Sequence, residues 1–329
     1  MALKFLGKAD LQQVREVIAA YPFNPYRQYR TIPKLTRAEA LYREIEALVG
    51  RGNAWVVAVE GWTRAIVVLE ELPWDSALFG RRMGRIGYIL HHGRADRNAL
   101  TGVVKSVVDY ALNQGLEHLS VSVDAADVWS LQALEHCGFR VMDSLLTGLF
   151  EKQGSRLRPA KTLCHVRLYR PEDLAGVMAV AEEAFDRYTG RFHHDPTLSH
   201  AAAQKVYLAW AENLCRQEST SKVVVAERHG EIVGFLAYQR LAALSQTTGL
   251  SHLGRGIGGV SRKGVGAFVG LQREIILQGN ALDTLEVETS WRNVQVIRIL
   301  NYLGLEYIRS RYQLHLSPTP VPGGGIALG

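Results

Sequence analysis

The chain has 329 residues, 47% apolar and 21% charged, and its 38 Lys and Arg against 32 Asp and Glu give a formal net charge of +6. That length suits two domains of ordinary size, and that composition belongs to a folded globular chain rather than a disordered or fibrous one. It excludes a helical membrane span, since no apolar run approaches the roughly 18–20 residues needed to cross a bilayer, and the unpaired spacing of Cys137, Cys164 and Cys215 excludes a disulfide framework or cysteine zinc site.

From the N-terminus, LKFL (3–6) alternates as a strand, and LQQVREVIAAY (11–21) and TRAEALYREIEALV (36–49) carry helical periodicity. NAWVVAVEGW (53–62) and RAIVVLEEL (64–72) form a hairpin-like pair, followed by LPWDSALFGRRMGRI (72–86), in which Trp74, Asp75 and Phe79 read as a packed turn. RMGRIGYIL (82–90) is a strand, HHGRADRNALTG (91–102), with Arg94, is its junction to the helix ALTGVVKSVVDYALNQG (99–115), and a strand, a helix and two extended runs complete the stretch to Lys152. QGSRLRPAKT (153–162), polar with Gly and Pro, reads as a linker.

The same order then recurs: CHVRLY, DLAGVMAVAEEAF, AAAQKVYLAWAENL, the hairpin KVVVAERHGEIVGFLAYQRL, the strand LSHLGRGIGGV and the helix VGAFVGLQREIILQG. Residues 116–152 align without a gap on 282–318, placing Leu116, Leu119, Val121, Val128, Leu134 and Gly138 on Leu282, Leu285, Val287, Val294, Leu300 and Gly304. The chain reads as a duplication of a β-α-α-β-β-β-α-β-α-β-β unit, with PTPVPGGGIALG (318–329) as a flexible tail.

One stretch distinguishes the copies. Ser261-Arg262-Lys263-Gly264-Val265-Gly266 lies where a strand enters a helix. Glycines allow close backbone approach, and the free amides of a helix's first turn converge on an anion. The first copy has no Gly-x-Gly at the matching junction.

The element order and this loop resemble the GCN5-related N-acetyltransferase (GNAT) superfamily, whose fourth strand runs into Gln/Arg-x-x-Gly-x-Gly/Ala; here Ser261 stands where the family has Gln or Arg. The resemblance implies an α/β (α+β) fold of two tandem GNAT-like domains, each a mixed, splayed central sheet flanked by helices. These are a degenerate N-terminal domain at 1–152, a linker at 153–162, an acetyl-CoA-binding domain at 163–317 and the tail at 318–329. It implies an acetyl-CoA-dependent N-acetyltransferase, with Gly258, Gly259, Val260, Ser261, Arg262, Lys263, Gly264, Val265, Gly266, Ala267 and Asn293 at the coenzyme.

For chemistry, the resemblance asks for a base and an acid. Glu286 and Glu288 alternate onto one strand face, with Glu288 the base carried forward and His193 and His194 a second source. The family acid is a Tyr seven residues after an Asn; seven after Asn293 is Leu300, and Tyr302 is the nearest hydroxyl. Either Tyr302 protonates the leaving thiolate or no side chain does.

Residues 72–86 and 190–214 are also similar to the bacterial TDP-fucosamine acetyltransferases, through Gly190-Arg191-Phe192 and Tyr207-Leu208-Ala209-Trp210. That likeness implies Arg191, Phe192, His193, Tyr207 and Trp210 as substrate-binding residues and a nucleotide-linked amino sugar as acceptor. The open alternatives are another amine (peptide, protein or antibiotic) and a non-catalytic acyl-CoA-binding module. No metal is expected, since the adjacent His193 and His194 lack a third ligand at known spacing. The cations are dispersed, so neither nucleic acid nor membrane is an expected partner. An oligomer is not indicated, and the N-terminus lacks signal-peptide features, so a cytoplasmic location is expected.

Overall fold

A computed structural model describes residues 3–6, 10–59, 62–93, 97–217, 220–277 and 282–317. The tail expected at 318–329 and Arg94 of the first copy's junction lie outside the described residues.

The first repeat gives β1 (Leu3–Leu6), α1 (Leu11–Ala20), α2 (Lys34–Gly50), β2 (Ala54–Val59), β3 (Trp62–Glu71), α3 (Pro73–Phe79), β4 (Met83–His91), α4 (Arg97–Asn113), β5 (His118–Asp124), α5 (Val128–His136) and β6 (Arg140–Glu151). The second gives β7 (His165–Leu168), α6 (Leu174–Phe185), α7 (His200–Arg216), β8 (Ser221–Arg228), β9 (Glu231–Arg240), α8 (Ala242–Thr248), β10 (His252–Val260), α9 (Ala267–Leu277), β11 (Thr284–Ser290), α10 (Val294–Leu303) and β12 (Glu306–Leu316). The order is identical in the two copies.

Two details differ from the sequence expectation. The Trp74 turn is the short helix α3, begun by Pro73, whose fixed φ suits a first helical position, and ended by Gly80 in the left-handed region; α8 is its counterpart, ended likewise by Gly249. The two extended runs closing each copy are one continuous strand, β6 and β12.

Contacts divide the chain into two compact units, one of Met1–Ser144, His194–Ser199 and Ser310–Gly329, the other of Leu145–His193 and His200–Arg309. Neither unit coincides with a sequence half, because the closing strands are exchanged. In the first unit the strand order is β1-β2-β3-β4-β5-β12, with the C-terminal half of β12 antiparallel to β5 from Arg311↔Asp124 to Leu316↔Leu119. In the second it is β7-β8-β9-β10-β11-β6, with the C-terminal half of β6 antiparallel to β11 from Leu145↔Ser290 to Glu151↔Thr284. His194–Ser199, between α6 and α7 in sequence, belongs to the first unit.

Within each unit the strands run mixed, with one parallel pair. In the first unit Leu100, Val103, Val104, Val107 and Ala111 of α4 pack on one face against Val67, Ile86, Leu119 and Val121. On the other face α1 and α2 set Val14, Val17, Ile18, Leu41 and Ile45 against Val56, Ile66, Val68 and Leu90. In the second unit Ala267, Leu271 and Ile275 of α9 and Leu300 and Leu303 of α10 meet Val224, Leu236, Leu253 and Leu285. Each fully buried aliphatic side chain of this kind contributes about 1.5–3 kcal/mol.

The parallel pairs are short. β4 meets β5 from Met83↔His118 to Ile86↔Val121, and β10 meets β11 at His252↔Thr284 and Leu253↔Leu285. Beyond those pairs no parallel ladder partner of these strands occurs among the described residues, while β10 stays on β9 to Val260. A splay opens in each unit.

Candidate functional site: the splayed strands of the second unit

β10 carries a bulge between Gly254 and Ile257, where Arg255 takes φ 51°, a conformation rare for a side-chain-bearing residue. The bulge lies where the β11 partnership ends. In an antiparallel pair alternate residues turn their N–H and C=O outward, so along Gly258, Gly259 and Val260 some amides face the open side. No sequence signal distinguished Arg255 as the bulge residue.

Past Val260 the chain makes a 3-10 turn, Arg262–Gly264, then α9. Ser261 is tied to Val233, its N–H donating to that carbonyl at 2.9 Å and its hydroxyl at 3.2 Å. The Gly264 N–H closes the turn onto the Ser261 carbonyl at 2.9 Å. A β-carbon on Gly264 would come 2.2 Å from the Val233 carbonyl oxygen, so only glycine fits there. Gly266 has φ +87°, and a β-carbon on it would meet nothing within 4 Å. The turn therefore holds a left-handed glycine against open space, immediately before the free first-turn amides of α9 beginning at Ala267.

The charges at this mouth are set by neighbouring elements. The Arg262 N–H donates to Glu183 of α6 at 2.8 Å, and its guanidinium lies 3.7 Å from the same carboxylate. Lys263 pairs with Glu231, which raises the ammonium pKa and lowers that of the carboxylate; both side chains are exposed. Arg228 donates to the Lys263 carbonyl at 3.0 Å. Glu183 lies 79 positions from Arg262 and had no sequence signal.

The structure gives the residues expected to do chemistry definite partners. Glu286 and Glu288 share one face, as alternation requires, and both meet Arg309, at 3.1 and 3.6 Å. Thr147 donates to Glu288 at 3.3 Å. Asn293 is the N-cap of α10, its side-chain oxygen accepting from the Val296 N–H at 3.3 Å, a role any strong capping residue fills. Leu300 is fully buried, and the Tyr302 hydroxyl donates to the Pro159 carbonyl at 2.9 Å.

The residues expected to touch the acceptor form an aromatic cluster on α6, α7 and the segment between them. His193 stacks on Tyr207 at 5.6 Å and 12°, with the Tyr188 ring 4.9 Å from Tyr207. Phe185 links Tyr207, at 5.8 Å, to Phe235, at 6.5 Å, and Phe235 is the β9 partner of Gly259. The cluster thus reaches β10 within the splayed stretch. The Gly190 N–H donates to His193 Nδ1 at 3.3 Å, which places the proton of the neutral ring on Nε2. Phe192 is buried with the Arg191 guanidinium over its ring at 4.5 Å, and Trp210 is half-buried. Tyr188 and Phe185 belong to this cluster and had not been singled out.

The first unit places different chemistry at its own splay. His91, last residue of β4, sets Nε2 3.0 and 3.2 Å from the two carboxylate oxygens of Asp127, both residues being 1% exposed. Asp127 caps α5 through the Ser130 N–H, as Asn293 caps α10. Tyr21, Phe23 and Trp129 ring the imidazole at 5.8, 5.9 and 6.1 Å. Burial disfavours the charged ring, but the hydrogen bond and charge of Asp127 outweigh it and raise the His91 pKa.

No family model matches the chain, and no curated protein matches it. Solved structures do. A GCN5-related N-acetyltransferase from Sphaerobacter thermophilus superposes with a TM-score of 0.66 at 16% identity, over 97% of this chain and 96% of that one. A tandem GNAT protein from the clavulanic acid biosynthesis pathway gives 0.56 at 15% identity, over 97% and 100%. A GNAT-family acetyltransferase from Colwellia psychrerythraea gives 0.51 at 11% identity, over 96% and 100%. At such identities the likeness is one of architecture: the chain has the fold of the tandem GNAT proteins.

Proposed function

We propose that the second unit binds acetyl-CoA in the β10–β11 splay and transfers its acetyl group to the amine of a small molecule. The observation that carries this reading is the Ser261–Gly266 turn, in which Gly266 faces open space at φ +87° ahead of the α9 amides. Those donors, with the exposed cations of Arg262 and Lys263, suit a pyrophosphate.

Bound there, acetyl-CoA supplies an activated acetyl thioester. The chain's own groups then have separable tasks. Outward amides of Gly258, Gly259 and Val260 stabilise the negative charge that develops on the carbonyl oxygen. Glu288, the less buried of the two strand carboxylates, takes the proton of the attacking amine. The nucleotide-linked amino sugar remains the acceptor we favour, with Tyr188 and His193, packed on the buried Tyr207, offering ring surface and Arg191 a cation suited to a diphosphate. Its place is the cytoplasm, and no helix among the described residues is long and apolar enough to cross a membrane.

A second reading, an acyl-CoA-binding module without turnover, is favoured by the Tyr302–Pro159 hydrogen bond, which gives that hydroxyl a structural partner. Calorimetry with acetyl-CoA and CoA, followed by thiol release across a panel of amines, separates the two. Binding with thiol release on a nucleotide amino sugar supports the enzyme; binding without release on any amine supports the module; no binding rejects both.

A further inference from the structure

The first unit contains a buried cluster that the acetyl-transfer reading does not use. His118 opens β5 and His315 stands near the end of β12, where the register pairs it with Ser120. His118, two residues from Ser120, is therefore a diagonal neighbour on the same sheet face. The two rings lie 4.7 Å apart at 75°. The third member, Asp195, arrives on His194–Ser199, the short segment that joins this unit from between α6 and α7. Its Oδ2 sits 3.0 Å from His118 Nε2 and 2.9 Å from His315 Nδ1.

The other carboxylate oxygen is fixed from outside the cluster. Oδ1 accepts from the Thr197 N–H at 2.9 Å and from its hydroxyl at 2.6 Å, and that hydroxyl also lies 2.8 Å from Ser317 Oγ. An oriented carboxylate of this kind is the outer support that ligating carboxylates usually have. His118, Asp195 and His315 are 0, 3 and 2% exposed. Of the two His118 ring nitrogens, Nε2 faces Asp195, and Nδ1 is buried with no hydrogen-bond partner.

The carboxylate oxygen lies 3.0 and 2.9 Å from the two ring nitrogens, separations that a single ion bound to all three would also set. The three ligand-capable atoms all lie within 4.8 Å of one another. Bonds of about 2.0–2.1 Å to one ion place neighbouring ligand atoms ~2.9 Å apart at right angles and ~3.4 Å apart at the tetrahedral angle. Two imidazole nitrogens and one carboxylate oxygen are a donor set for divalent first-row transition metals, zinc foremost. The neighbouring His194 is no part of it, because its Nδ1 bonds the Met142 carbonyl at 2.9 Å.

We propose that His118 Nε2, Asp195 Oδ2 and His315 Nδ1 form a structural site for a divalent transition-metal ion, which ties together β5, β12 and the 194–199 segment. The three ligands are widely separated in sequence, so the ion closes long loops and stabilises the folded first unit.

The full-length chain, stripped with a chelator, is titrated with Zn2+ by calorimetry and with Co2+ by visible absorption. Expected are one ion per chain, ligand-field bands from Co2+, and a Tm raised by several degrees with Zn2+. His315→Gln and Asp195→Asn lose the Co2+ bands. Either may fail to fold, so Thr197→Val, which keeps all three ligands and loses one hydroxyl to Asp195, is the second variant; its affinity falls about tenfold. His200→Gln leaves binding unchanged and controls for surface histidines. Absence of stoichiometric binding by the unsubstituted chain, full binding by a folded His315→Gln chain, or loss of binding in His200→Gln each overturns the proposal.

Discussion

The Tyr302 hydroxyl hydrogen-bonds the Pro159 carbonyl at 2.9 Å, fastening α10 to the segment that joins the two sequence repeats. Seven positions after Asn293, where the GNAT pattern places an acid, Leu300 is buried in the core instead. A departing thiolate has a pKa near that of free thiols, about 8.5, so transfer can proceed without a side-chain donor. Tyr302→Phe is therefore expected to lower stability by about 0.5–1 kcal/mol, the value of one partly exposed hydrogen bond. Steady-state kinetics should show kcat within about twofold of the parent; a fall of about tenfold at unchanged KM, some 1.4 kcal/mol of barrier, would make Tyr302 the acid after all.

Gly264 and Gly266 make a discriminating pair. A β-carbon at 264 collides with the Val233 carbonyl, so Gly264→Ala disturbs the turn itself and confounds folding with binding. At 266 the space is open, and the cost of alanine is the strain of its positive φ, of order 1 kcal/mol. Its methyl group projects where the anion is proposed to lie. Gly266→Ala should keep a cooperative unfolding transition while weakening acetyl-CoA binding about tenfold or more by calorimetry, a loss of at least 1.4 kcal/mol. Equal affinity would place the pyrophosphate elsewhere.

Much of this architecture was readable from local pattern. Alternation, helical periodicity and a gapless repeat gave the order of elements, and the repeat aligned Asp127 with Asn293, which prove to be matching N-caps. What local pattern does not carry is the identity of a strand's partner. The two extended runs ending each copy read as local closing strands, yet β6 and β12 pair through their C-terminal halves with β11 and β5 of the opposite repeat, on the edges away from β10 and β4. The same limit hid the ion pair of Glu183 with Arg262 and the cluster of His118, Asp195 and His315, each assembled from residues far apart in the chain. Aromatic spacing on α7 pointed to Tyr207, but the stacking of His193 upon it needed the fold.

His252 offers a pH prediction in the second unit. Its ring is buried at the start of β10, with Nδ1 2.7 Å from Thr284 Oγ1 and Nε2 2.8 Å from Thr248 Oγ1. Burial pushes its pKa down to about 4, from 6.5 for an exposed imidazole. Between those values the unfolded chain binds a proton that the folded chain refuses, so the contribution is whole above pH 6.5 and is lost as pH falls toward 4. Denaturant titrations should show about 2 kcal/mol less stability at pH 5 than at pH 7 from this group, and His252→Gln, neutral throughout, should flatten that part of the profile. An unchanged slope in a folded His252→Gln chain would assign the acid sensitivity to other groups.

The buried His91–Asp127 pair predicts that the two splays are not equivalent. In the first unit an imidazole and a carboxylate meet at the end of β4 among the rings of Tyr21, Phe23 and Trp129, where the second unit has the Val260–Gly266 stretch, whose Gly266 faces open space. The sequence of that junction, of which residues 94–96 lie outside the described residues, has no Gly-x-Gly to offer loop amides to a pyrophosphate. Acetyl-CoA should bind once per chain, and Gly266→Ala should weaken that single event. His91→Ala removes one partner of a buried pair and leaves the Asp127 charge uncompensated, so it should destabilise the chain by about 3–5 kcal/mol. His91→Gln, which retains a donor near the carboxylate, should cost less, and calorimetry on that variant should give an unchanged acetyl-CoA affinity. Two binding events in the parent chain, or loss of the single event in a folded His91→Gln chain, would move the coenzyme site to the first unit.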